Sequence, residues 1–242
     1  MTTTAPSVEH PFSGAVGSAE GAHEVGPEFV AAVGKVIASH VRNELVGASV
    51  FDEPAIALAP SPEDKWLACR IAMEEYGHHL KFNKLAAELD LGDPLAASPL
   101  SVFDYELRSW VQFVVLKAIV DLAEIVLMED LAECTYLPLR QLATRLLPEE
   151  RFHVSFGRTR AMELAGRPEC RGEVGQAVND LVRFTLPVFG RSTSANNELF
   201  RRWGVKRRTN DESRGAFLHR SREFVVRELG LEFPEVSLRW DG

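Results

Sequence analysis

A chain of 242 residues with 45% hydrophobic and 26% charged side chains has enough apolar material for one large buried core. Its net charge of −8 and isoelectric point near 5.5 exclude nucleic acid as the principal partner, because a phosphate backbone is held by basic surface. The three cysteines, Cys69, Cys134 and Cys170, are odd in number and far apart, which argues against a disulfide framework or a thiolate zinc site and for a cytoplasmic location.

The opening MTTTAPSVEH lacks the basic and apolar regions of a signal peptide, and residues 1–26 as a whole, without hydrophobic periodicity, are expected to form a disordered tail. One domain is expected over 27–242. Its first helix, 28–50, begins after Pro27, a residue suited to a first turn. The second, 62–91, has Ser61 as N-cap, Pro62 in the first turn and Gly92 as its stop. After the loop DPLAASPLS a long apolar helix is expected over 103–136. Its stretch 110–133 is interrupted by Lys117, Asp121 and Glu124, so it reads as the centre of a soluble bundle and not as a membrane span. A fourth helix, 139–165, ends at Gly166 and should kink at Pro148. EVGQAVNDLVRFTLPVFG reads as a further helix, RSTSANNE as a polar loop, and 210–229 as the last helix. The expected architecture is all-α: a four-helix bundle with additional C-terminal helices.

Two bundle helices carry the same spelling. MEEYGHH places Glu75 and His78 three apart, and PEERFHV does the same with Glu150 and His153. Residues at i and i+3 share a helix face, so each segment can aim a carboxylate and an imidazole at one point. A third match, Glu20 to His23, falls in the Gly- and Ala-rich tail and is read as chance. The first helix offers Glu44, and the third offers Asp121 and Glu124 on one face, either of which could instead pair with Lys117. An acid from each of two helices and Glu-x-x-His from each of the other two is a di-metal pattern. In this reading Glu75 and Glu150 bridge, Glu44 and His78 complete one metal, and His153 with Asp121 or Glu124 completes the other. Oxygen-rich donors with one imidazole per ion suit iron or manganese. For His40 and His79 the plainer reading is a histidine that supports the ligands without binding metal, or an ordinary partly buried one.

At HVRNELVG, EEYGHHLKFNKLAAELDLG, Val120-Asp121, PEERFHVSFG and WGVKRRTNDESRGAF the chain resembles the catalytic-subunit family of phenylacetyl-CoA epoxidase, a ferritin-like di-iron family of phenylacetate catabolism. The resemblance runs over about residues 28–235. It implies a ferritin-like bundle and a di-iron monooxygenase that activates O2, with an aromatic acyl-CoA substrate. It further implies electrons from an external reductase and assembly with other subunits. Glu124 stands where that family carries a small residue, which leaves the acyl group open and admits a natural-product substrate. A ferritin-type ferroxidase and a metal-free structural subunit are the alternative readings, the first using the same helices and the second at odds with the intact acid and histidine set. In RRWGVKRR, Arg207 and Arg208 are the candidates for meeting the phosphates of a CoA or carrier-protein thioester, with a solvated or partner-docking loop as the plainer reading.

Overall fold

The computed structural model describes residues 12–96 and 98–241. Four long helices form the bundle: α2 (Pro27–Gly47), α4 (Pro62–Glu88), α5 (Trp110–Leu131) and α6 (Leu137–Ala165), with α1 (Ala19–Val25) ahead of them and α3 (Glu53–Leu58) between α2 and α4. α7 (Pro168–Thr185), α8 (Ala195–Arg202) and α9 (Asn210–Glu223) follow the bundle. Among the described residues no strand forms beyond one isolated bridge between Val16 and Tyr136. The fold is therefore the all-α, ferritin-like bundle with added C-terminal helices. No helix among the described residues is long and apolar enough to cross a membrane.

The local signals act where they stand in the sequence. Ser61 Oγ accepts the Asp64 amide at 3.0 Å, Pro62 occupies the first turn of α4, and Gly166 caps α6. α4 ends before Gly92, because Asp90 takes the left-handed conformation (φ 52°) that turns the chain. α5 is shorter than the expected 103–136: Ser109 Oγ caps it by accepting the Gln112 amide, and 101–104 form a separate 3-10 turn. It is buried nearly all round and packs against α6, α7 and α9. That explains its weak amphipathicity: a helix with neighbours on every side has no polar face to present. α6 runs through Pro148 as one element. The expected polar loop after residue 190 instead leads into α8, capped by Ser194.

The expectation of a disordered tail over 1–26 fails from Phe12 onward; residues 1–11 lie outside the described residues. The Phe12 amide donates to the Arg202 carbonyl, and the Phe12 ring packs against Phe29 and Trp203. The Val16 amide donates to Thr135 while its carbonyl accepts from Leu137, and α1 follows with Ala22 wholly buried. These contacts join the segment to residues far along the chain, so no helical periodicity in its own sequence announces them.

Candidate metal centre

Each bundle helix delivers one part of a buried polar pocket. α2 brings Glu44, α4 brings Glu75 and His78, α5 brings Asp121, and α6 brings Glu150 and His153, all of them buried. Donor atoms of Glu44, Glu75, His78 and Glu150 lie within 4.8 Å of one another, and so do those of Glu75, Asp121, Glu150 and His153. The two groups share Glu75 and Glu150. A third set, His40, Glu44 and Glu124, adjoins the first. Asp121 Oδ2 is 3.8 Å from His153 Nδ1, whereas Glu124 Oε1 turns away to lie 3.3 Å from His40 Nδ1. The geometry thus groups Asp121, not Glu124, with His153. Glu20 and His23 sit together on α1 and belong to none of the three sets.

The outer ring nitrogens answer why the motif doubles its glutamate. His78 Nε2 donates to Glu149 Oε2 at 2.7 Å, and His153 Nε2 donates to Glu74 Oε2 at 2.9 Å. The pairs cross between helices: the first glutamate of each Glu-Glu-x-x-His holds the histidine of the other. A carboxylate only accepts, so each Nε2 carries a proton and each Nδ1 faces the pocket. His78 Nδ1, His153 Nδ1 and Glu150 Oε1 are buried there without a hydrogen-bond partner. Orphaned donor atoms converging on one point cost free energy unless something satisfies them, and a cation would. The residues present fit a pair of metal ions. Sequence reading missed Glu74 and Glu149; the doubled glutamate was the signal.

Lys117 holds more than the Asp121 that helix spacing offers it. Its Nζ lies 2.8 Å from Asp52 Oδ1, 2.9 Å from Glu75 Oε1 and 3.0 Å from Asp121 Oδ2. Asp52 reaches this position because a π-helical turn, Ala48–Asp52, follows Glu44 by one turn of α2.

Electrostatics follow from burial and from this crowding. Burial pushes the Glu44 carboxyl up to about 7, the His40 and His78 rings opposing it. Burial also acts against charge on His78 and His153, but the surrounding carboxylates outweigh it and hold both imidazoles above their usual range. For Glu75 burial is overcome by Lys117 and His153, and its carboxyl is held well below the usual range. Burial alone would discharge Lys117, yet Asp121, Asp52 and Glu75 keep it charged.

A cavity of about 80 Å³ opens on the carboxylates, with an apolar wall that includes Phe51, Phe103, Leu116 and Val120. A second pocket of about 380 Å³, lined by Lys35, Lys206, Asn196 and Phe200, shares Asn43, Leu100, Glu124 and Val188 with the first. Arg207 and Arg208 line neither. The Arg207 guanidinium pairs with Glu133 at 2.8 Å, both backbone amides donate to Asp130, and Arg208 Nη1 donates to the Val126 carbonyl. These arginines tie their loop to α5; from the basic run it is Lys206 that faces the pocket.

The phenylacetic acid catabolic protein model matches residues 19–242. One of the subunits of 1,2-phenylacetyl-CoA epoxidase from Escherichia coli (strain K12) is 29% identical over 216 residues, spanning 85% of this chain and 69% of that protein. With the match running from α1 through the last residue and the bundle in place, the chain belongs to the phenylacetic acid catabolic protein family.

Proposed function

We propose that this chain is the oxygen-activating subunit of a di-iron monooxygenase, inserting one oxygen atom into a small organic acyl thioester. The observation that carries the reading is the pair of buried donor groups sharing Glu75 and Glu150, with both Nδ1 atoms aimed inward among the carboxylates and without a hydrogen-bond partner. Glu44 and His78 would complete one ion, and Asp121 and His153 the other. Iron bound there would supply the redox chemistry for O2 activation, which side chains alone lack. The family and the similarity to an epoxidase subunit support the oxygenase class.

The chain's own residues have separate tasks. Glu74 and Glu149 fix the two rings so that Nδ1 stays aimed at the pocket. Phe51, Phe103, Leu116 and Val120 exclude water and present an apolar surface to the reacting carbon. Lys206, with Lys35, offers cationic groups to an anionic head in the outer pocket while the acyl end points inward. Electrons from a separate reductase and a companion chain complete the assembly, in keeping with a relative that is itself one subunit of its enzyme.

Iron content decides the first half. Protein from iron-sufficient cells should hold about two irons per chain, and Glu75→Ala or Glu150→Ala should hold far less. Asp121→Ala should lose the di-iron absorption and Glu124→Ala should keep it. Reductase-dependent oxygen uptake with aryl- and alkyl-acyl thioesters against the free acids decides the second half. Uptake with free acids alone would reject the thioester, and wild-type protein with little iron would reject the whole reading.

A further inference from the structure

Lys117 sits inside the proposed pocket, 2% exposed, and its three carboxylate partners are unevenly shared between the two donor groups. Glu75 and Asp121 both belong to the group with Glu150 and His153. The group with Glu44 and His78 meets the ammonium through Glu75 alone, and Asp52 belongs to neither. One metal position therefore shares its acids with a built-in cation and the other scarcely does. Resting on the di-metal reading, we propose that Lys117 is a tethered counter-ion standing in for the cation of the Glu75–Asp121–Glu150–His153 position, and that it withdraws onto Asp52 when an ion binds there.

Charge counting supports the withdrawal. Glu44, Glu75, Asp121 and Glu150 together balance two divalent ions, and Lys117 with Asp52 then makes a neutral pair that adds nothing. Without an ion, Glu75 and Asp121 would face one another buried and like-charged, and the ammonium is what separates them. With an ion, an ammonium still bonded to both acids would oppose it at short range in a poorly screened interior. Asp52 gives it a place to go. Its oxygen already lies 2.8 Å from Nζ, so a small swing of the flexible lysine stem trades two partners for one without leaving the charge bare. The π-helical turn that delivers Asp52 thus has a task connected with the neighbouring helix.

The consequence is two unequal affinities, with the weaker position beside Lys117. Co2+ titrated into the metal-free full-length protein, followed by visible absorption and calorimetry, reads both steps. Lys117→Met removes the competing cation and should tighten the weaker step by about tenfold, while Asp52→Asn strands the ammonium on the ligand acids and should weaken it by a similar factor. Opposite signs are the signature; a lysine that only stabilises the fold would make both variants bind more weakly. Shifts of the same sign, or none, overturn the inference while wild-type binding of two ions leaves the di-metal reading standing. Fewer than two Co2+ on the wild type overturns that reading itself. If Lys117→Met does not fold, Lys117→Gln replaces it, and the sign for Asp52→Asn decides by itself.

Discussion

Single residues decide how the pocket is held open. Glu74 and Glu149 do not belong to the donor groups, yet each fixes a ring from the opposite helix. Losing such an outer partner lowers metal affinity about 10–100-fold in comparable sites. On the di-metal reading, Glu74→Gln and Glu149→Gln are therefore expected to keep the fold, seen by circular dichroism, and to release bound metal to a chelator sooner than the wild type. Retention of wild-type release rates would remove the crossed pairs from the account. The cysteines separate just as cleanly by surroundings. Cys134 is fully buried and its thiol is pushed up to about 12, mainly by that burial, while Cys69 is exposed on α4. Iodoacetamide at mildly alkaline pH should label Cys69 and spare Cys134 in the native protein, because the thiolate is the reactive form. Mass mapping checks this, and native labelling of Cys134 would contradict it.

At the scale of elements, the contact that aims Asp121 at His153 is the close approach of α5 and α6. A Cβ on Gly157 would lie 2.5 Å from the Ala118 amide nitrogen, 2.7 Å from the Val114 carbonyl oxygen and 2.8 Å from the Lys117 carbonyl carbon. These are backbone atoms and cannot swing aside. Gly157→Ala should therefore force the helices apart and cost about 1–3 kcal/mol, read as a lower urea midpoint. The same shift moves Lys117 and Asp121 relative to His153, so metal content should fall along with stability. A variant as stable and as metal-rich as the wild type would show that the helices have more room than this spacing allows. Helix identity was legible beforehand because capping and periodicity act over three or four residues, as at Ser61, Pro62 and Gly166. The fine spacing of α5 against α6 is a contact between distant residues, and nothing near Gly157 in the chain announces it.

The whole molecule adds a C-terminal region wrapped on the bundle. Its hub is Arg214, fully buried, which pairs with Asp211 and donates to the carbonyls of Leu186, Gly190 and Leu238. Removing the donor leaves these buried carbonyls unsatisfied, at about 1–3 kcal/mol each. Arg214→Ala should thus loosen α9 and the last segment, seen as faster amide exchange there than in α5. Equal exchange would mean the region is held by its apolar contacts alone. A further expectation concerns size: helices α7–α9 packed on the bundle give no compact storage shell, so the protein should elute as a small assembly and not as a particle of many subunits. Early elution at shell size would favour a ferritin-type reading.

The sequence by itself determined the four bundle helices, their order and the spacing of each acid with its own histidine. Glu75 with His78, and Glu150 with His153, are pairs within one helix, and helical geometry alone aligns them. Only the tertiary structure decided which acids meet which histidines across the bundle. Asp121 and Glu124 stand one turn apart on α5, and the rotation of that helix against α6 and α2 sends one to His153 and the other to His40. Lys117 was legible as a partner for Asp121 four residues on, but its hold on Glu75 and Asp52 requires α4 and the π-helical turn to close around it. The N-terminal anchors were hidden for the same reason, since Phe12 and Val16 find their partners at Trp203 and Thr135, far along the chain. Local preferences are written in neighbouring letters; partners brought together by packing depend on the positions of several helices at once.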